Sequence, residues 1–344
     1  KLYISFYKRD KNTKSDIWEM NIGEFNYKTN SYKTVFDLPS KTSSFKKLFK
    51  TQIFHRSSQI LSGEIIKDHL YAFMSFENND IKDDEPQYHH YLLKMNLTDY
   101  SKSIYKFPIS DSGSQSDSDH SYPEYFKAII YPESGFFGDK INILVTASDI
   151  DLWEEERKFT IHYKISNGEL IKLREYENKS VAGYLPGDQL FYGLVHEKID
   201  YKLAKNSYVF HSGHSDLAFF YLDDESLKIA EQFHLPGDQE VSKVIKMDDN
   251  FLLLGTNKTP LTWEFGGFKL LMEEKIFSTD PMLVLFNKKL SYLDSKIFVQ
   301  SKNMDFFGFY SGTMSISKIN ERRFMLFNDT PENEISVNEI REFN

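Results

Sequence analysis

One motif is written three times along this chain, and it restricts the fold more than any other feature. The first copy opens on Leu2-Tyr3-Ile4-Ser5-Phe6. It crosses a polar stretch to Ser15-Asp16-Ile17-Trp18-Glu19-Met20-Asn21 and closes on Phe36-Asp37-Leu38-Pro39. The second runs Leu70-Tyr71-Ala72-Phe73, then Tyr91-Leu92-Leu93-Lys94-Met95-Asn96, then Tyr105-Lys106-Phe107-Pro108. The third runs Tyr208-Val209-Phe210, then Ser215-Asp216-Leu217 into Phe220-Tyr221-Leu222, then Phe233-His234-Leu235-Pro236. Each copy reads strand, loop, strand, turn, strand, proline. Short runs rich in aromatic and β-branched residues suit a pleated surface. Proline cannot donate to a ladder, so it marks where one stops. Antiparallel units repeated at this scale predict a radial β array, the β-propeller.

Five hairpins extend the pattern. Ile60–Ile66 turns at Lys67-Asp68 into Leu70–Phe76, and Phe126–Tyr131 leads through Gly135 and Gly138-Asp139 into Ile141–Val145. Leu190–Val195 leads into Tyr208–Phe210, Val241–Met247 turns at Asp248-Asp249-Asn250 into Phe251–Leu254, and Met314–Ile319 turns at Asn320-Glu321 into Phe324–Phe327. Asp, Asn and Gly tolerate the positive φ that tight hairpins need. Inner strands then begin near residues 2, 70, 141, 208, 251 and 323. The expected fold is an all-β, six-bladed β-propeller, with four-stranded antiparallel blades around a central channel. It forms one domain over 1–344, with approximate blades 1–50, 51–109, 120–180, 181–237, 238–303 and 304–344. An open β-solenoid or a pair of sandwiches is the alternative. The first unit lacks a strand of its own at its start, and the last ends on Ile335–Phe343. Chain ends that complete a shared blade would explain both and remove exposed sheet edges. No segment carries a capped 3.6-residue period, so helix content is expected to be low.

Composition fits this architecture. The chain has 344 residues, 40% hydrophobic and 16% aromatic, beyond the roughly 250–300 residues that one core usually serves. Radial repetition escapes that limit because each unit packs on its neighbours. The net charge of -9 argues against nucleic acid and anionic membrane surfaces as partners. The basic stretch Lys41–Lys50 is diluted by Ser and Phe and reads as a solvated loop. There is no cysteine, which excludes disulfides, thiolate metal sites and cysteine nucleophiles. No apolar run has the length of a membrane span. The sequons at Asn96, Asn178, Asn257 and Asn328 carry no weight in a chain this rich in Asn, Ser and Thr.

The segment from Phe6-Tyr7-Lys8-Arg9-Asp10 to Ser15-Asp16-Ile17-Trp18-Glu19-Met20-Asn21 resembles the WD40-like repeats of bacterial Tol-type six-bladed propellers. The likeness covers the first unit well and the second and fourth in part. It implies the fold and an exported bacterial protein, periplasmic, cell-surface or secreted, although a cytoplasmic one also fits the residues. It implies no activity, because propellers host binding scaffolds and several enzyme classes alike.

Chemistry is expected on the loops that join second to third strands, which repeated blades place at one end of the channel. Those loops are polar. One spans Glu77–His90, another carries Asp149, Asp151, Trp153 and Glu154, a third His211, His214 and Asp216, and a fourth Trp263. His211-Ser212-Gly213-His214-Ser215-Asp216 is the densest cluster. Two imidazoles and a carboxylate could hold a divalent cation. Asp216 matches Asp16 of the first copy, where no histidine accompanies it, so a loop-capping role is the expectation and no metal is assigned. His89-His90 in an extended strand would point to opposite sides. Asp111–His120 lacks the acid spacing of a calcium loop and reads as a linker. No nucleophile elbow, zinc-protease helix, phosphate loop or dinucleotide fingerprint is present. Two readings follow. One is a monomeric, non-catalytic scaffold without cofactor that binds a protein, peptide or glycan. The other is a carbohydrate-active hydrolase or lyase using rim carboxylates, with Trp153 or Trp263 as a stacking platform.

Overall fold

A computed structural model describes residues 1–9, 18–37, 47–49, 57–77, 88–108, 124–133, 140–149, 157–166, 168–197, 214–235, 238–247, 249–260, 263–265, 268–270, 277–297, 314–320, 323–329 and 335–340. Nearly all of them are strands. The first sheet is β1 (Leu2–Arg9), β2 (Trp18–Asn26) and β3 (Ser31–Asp37). The second is β4 (Ser57–Ile66), β5 (His69–Glu77), β6 (Tyr88–Asn96) and β7 (Lys102–Lys106). The third is β8 (Glu124–Pro132), β9 (Ile141–Asp149), β10 (Arg157–Ser166) and β11 (Glu169–Glu177). The fourth is β12 (Lys179–Leu185), β13 (Leu190–Glu197), β14 (His214–Asp223) and β15 (Ser226–Phe233). The fifth begins with β16 (Asp238–Lys246) and β17 (Asn250–Pro260). A small hairpin, β18 (Trp263–Phe265) with β19 (Phe268–Leu270), precedes its last strands, β20 (Phe277–Asn287) and β21 (Tyr292–Ile297). The sixth is β22 (Met314–Asn320), β23 (Arg323–Asp329) and β24 (Ile335–Ile340). Every pairing is antiparallel and, apart from β17 with β20, joins strands adjacent in sequence. Four-stranded antiparallel meanders following one another along a chain are propeller blades, and the fold is all-β, of the β-propeller class. The only helix among the described residues is the single turn at 47–49.

The chain divides into two compact units, Lys1–Glu177 and Asn178–Asn344. In the first, aromatic side chains interleave between sheets. Phe73 of β5 meets Phe107 edge-on at 5.1 Å, and Phe107 meets Tyr163 of β10 at 5.1 Å. Phe49 sits edge-on to Phe76 and Tyr91, at 5.0 Å from each. Glu24 of β2 ties the first two sheets together. It accepts hydrogen bonds from the Tyr3 hydroxyl at 2.7 Å and the Tyr100 hydroxyl at 3.0 Å, and pairs with the Lys1 ammonium at 3.0 Å. Burial alone would push its carboxyl up, but these three donors hold it below the usual carboxylate range. In the second unit, Phe219 of β14 packs on Phe286 of β20 at 5.3 Å, and Phe233 lies 4.3 Å from Phe286.

Two irregularities repeat. The first strand of each four-stranded sheet carries a bulge at an equivalent register: between Ile60 and Ser62, Tyr125 and Lys127, Val181 and Gly183, and Val241 and Lys243. The pairing of the last two strands shifts after Ile22, His162, Phe219 and Leu285. An extra residue bends its strand and adds twist. Where the backbones come closest the second strand needs a small residue. A Cβ at Gly193 would fall 2.0 Å from the Ser180 carbonyl oxygen, and one at Gly255 2.2 Å from that of Glu240.

Four of the five hairpins expected from the sequence are present, as β4–β5, β8–β9, β16–β17 and β22–β23. The fourth sheet is different. Leu190–Val195 belongs to its second strand, and the first strand is β12, which the apolar pattern did not reveal. Tyr208–Phe210 lies outside the described residues. Of the aromatic and apolar residues in the repeated motif, Leu93 of β6 and Phe220 of β14 hold equivalent strand positions and Trp18 of β2 does not. Leu93 and Phe220 both stand three residues before their strands end, whereas Trp18 opens β2 opposite Arg9, and Gly23 takes the equivalent position.

Candidate functional site at the long-connection end of the sheets

Within each sheet the two ends differ. The turns at 67–68 and 224–225 and the short β10–β11 connection lie at one end, with φ of 53° at Lys67, 82° at Gly168, and 46° and 61° at Asp224 and Glu225, and the same end of the third sheet carries the longer connection 133–140. At the other end residues 10–17 join β1 to β2 of the three-stranded first sheet, and residues 78–87, 150–156, 198–213 and 261–276 join the second and third strands of the four-stranded sheets. Toward this end the strands bury polar side chains: Ser75, His89 and His90 in the second sheet, Ser148 in the third, Ser180, Ser215 and Asp216 in the fourth, and Gln239 and Asn257 in the fifth. Burying a polar group is unfavourable unless it finds a partner, so such a layer is costly and its partners are informative.

The expected site residues fall at this end by connectivity. Asp149 closes β9 and His214 opens β14, and Trp263 opens β18. The side chains of all three, and Asp151, Trp153, Glu154 and His211 entirely, lie outside the described residues. Asp216 is fully described, and it is not a loop cap. It is the third residue of β14, paired with Val195 and completely buried. Its Oδ2 accepts a hydrogen bond from Gln232 Nε2 at 2.9 Å and contacts Nδ1 of His234 at 2.5 Å. The His234 ring is 67% exposed. A strand position, rather than a loop, lets the carboxylate reach across to β15 and the residue that follows it. Neither partner was legible in sequence, because both depend on register.

The opposite face of the same sheet end carries a second network. His196, near the end of β13, lies between two serines. Its Nε2 is 2.7 Å from Ser180 Oγ on β12, and its Nδ1 is 2.8 Å from Ser215 Oγ on β14. Sequence reading missed it, since Ser180 was assigned to the preceding unit and pairing alone brings it to His196. In the second sheet, His89 and His90 lie in β6 opposite Phe76 and Ser75, on alternate faces as expected. The His90 ring stacks between Tyr125 at 4.5 Å and Phe73 at 5.6 Å. Both its nitrogens lack a hydrogen-bond partner among the described residues. Burial, assisted by His89, lowers its pKa to about 3. Away from this end, His162 of β10 is held by the Tyr131 hydroxyl, the Tyr176 hydroxyl and Asn142 Oδ1, each at 3.2 Å. Burial, assisted by Lys164, lowers its pKa to about 4.

Among the described residues, no group of three or more His, Asp or Glu side chains is placed to hold a metal ion. No family model matches the chain, and no curated protein does either. Solved structures of similar outline exist. The β-propeller domain of the trilobed protease from Pyrococcus furiosus aligns at a TM-score of 0.46 with 11% identity, over 99% of this chain and 78% of that one. The acylaminoacyl peptidase of Pyrococcus horikoshii aligns at 0.47 with 12% identity, over 99% of this chain but only 43% of its own. A glycoside hydrolase aligns at 0.40 with 8% identity, over 87% of this chain and 94% of that one.

Proposed function

We propose that this protein is a six-bladed propeller serving as a binding protein or scaffold, with a protein, peptide or glycan ligand taken at the long-connection end of its sheets. The observation that supports this reading is the asymmetry of the connections. In the second, fourth and fifth sheets the polar second-to-third-strand connection (78–87, 198–213 and 261–276) is longer than any other in its sheet, while in the third the connections at the two ends, 133–140 and 150–156, are of similar length. Variable connections on regular strands are where binding residues concentrate. Asp149, Asp151, Trp153, Glu154, His211, His214 and Trp263 are the contact residues on this reading, whereas Asp216, expected among them, is wholly buried and serves the strand end beneath. Carboxylates in such connections favour cations and neutral polar ligands and disfavour nucleic acid. An exported, monomeric protein is part of the proposal, testable by cell fractionation and light scattering.

The binding test uses a glycan array and a displayed peptide library as probes. Replacing residues 198–213 by Asn-Gly should abolish the hits of the parent protein while the melting temperature stays within a few degrees, since long surface connections are thermodynamically tolerant. Hits that persist undiminished in that variant would remove this connection from the site, and a parent protein that binds nothing in either format would remove the reading.

A further inference from the structure

The Ser180–His196–Ser215 network has the geometry of an activated nucleophile. We infer that Ser180 is an acyl-accepting nucleophile, His196 its general base and Ser215 the group that orients the imidazole, in a site for carboxylic esters. A neutral imidazole has one N–H and one bare nitrogen. With Nδ1–H donating to Ser215 Oγ at 2.8 Å, Nε2 is left to accept the Ser180 hydroxyl proton at 2.7 Å. Nucleophile and base within hydrogen-bond reach, with the base held by a third group, is the general signature of this chemistry.

Two observations favour this assignment over a purely architectural polar layer. First, the network does not recur. Taking the first-strand bulge as the common register, the residues equivalent to Ser180, His196 and Ser215 are Gln59, Glu77 and Tyr88 in the second sheet, and Glu240, Lys258 and Thr279 in the fifth. A device of the fold would repeat with the fold. Second, Ser180 is on the first strand of its sheet, while Ser215 is on an interior strand between β13 and β15. The edge serine is therefore the nucleophile and the interior serine the support.

The reaction balances without a cofactor. Ser180 Oγ forms a bond to the ester carbonyl carbon as its proton passes to His196 Nε2. The carbonyl carbon–oxygen bond to the alcohol breaks, and the departing oxygen takes that proton. Water then attacks the acyl-serine, gives a proton to Nε2, and the proton returns to Ser180 Oγ as the carboxylic acid leaves. Ser215 orients the ring but supplies no negative charge to the imidazolium, unlike the aspartate of an ordinary triad. That limits the site to leaving groups better than an amine, hence esters.

The test exploits the absence of cysteine from the chain. In Ser180→Cys the new thiol is the protein's sole thiol, and iodoacetamide alkylation read by intact mass reports its ionisation. Beside His196 it should form a thiolate–imidazolium pair and react at pH 6.5 at least about ten-fold faster than in Ser180→Cys with His196→Gln. In the parent protein a fluorophosphonate probe should add once, at Ser180, and p-nitrophenyl acetate should be hydrolysed. Both should be lost in Ser180→Ala with an unchanged far-UV spectrum. Equal alkylation rates with and without His196, or a fluorophosphonate adduct absent or on another residue, would overturn the assignment. The ligand-binding reading does not depend on this outcome, because binding on the arrays would be unaffected by it.

Discussion

Two buried imidazoles, His90 and His162, are neutral in the folded protein because burial opposes their charged form. Their pKa values, about 3 and about 4, lie below the ordinary histidine value of about 6.5. The unfolded chain therefore binds more protons than the folded one between those values. Stability is fully present above about pH 6.5 and declines as the pH falls towards 4, by up to about 1.4 kcal/mol per pH unit for each ring. Urea midpoints at pH 7.5 and 4.5 should show this loss. His90→Phe keeps the stack between Tyr125 and Phe73 and should remove its share, and an unchanged pH slope in that variant would contradict the assignment. Gly193 makes a second residue-scale prediction. Gly193→Ala should cost about 1–3 kcal/mol by overpacking, measured by urea denaturation, since the added carbon would meet the Ser180 carbonyl oxygen.

At the scale of elements, the cores rest on rings wedged between sheets. Phe219→Ala should lower stability by about 3–5 kcal/mol in chemical denaturation, because Phe219 is 1% exposed and touches Phe233, Phe251 and Phe286. Hairpins were legible where the turn announces itself, as at Lys67-Asp68 or Asp249-Asn250. β12 was hidden because Asn178 alone separates it from β11. That asparagine adopts φ 56°, a conformation asparagine tolerates better than most residues, and it was the one available sign of a break. β11 is also an outer strand, with an exposed and weakly alternating pattern, so the two strands merge in a hydropathy reading. Side-chain networks stayed invisible for a different reason. His196 with Ser180 and Asp216 with His234 meet only through register, and a slip of one residue would place each on the wrong face.

For the whole molecule, the sequence conveyed the fold class and the long polar connections, but not the side-chain networks that register builds within each sheet. If those connections form the ligand site, the joint change of Asp149, Asp151 and Glu154 to alanine should abolish binding to the array hits while shifting the denaturation midpoint by no more than about 0.5 kcal/mol equivalent per residue. Retained affinity would eliminate these acids as contacts. The meander order has a consequence of another kind. Because each ladder among the described residues is made from one contiguous stretch, its strands leave the ribosome one after another. Contacts of short sequence separation form early and quickly, and synthesis delivers the chain from its N-terminus at roughly 5–20 residues per second. We expect nascent chains to acquire structure in discrete steps, one as each sheet's last strand clears the ribosome. Arrest-peptide force profiles should then show a peak soon after residues 106, 177, 233 and 297, and a single late peak would show that the sheets wait for one another.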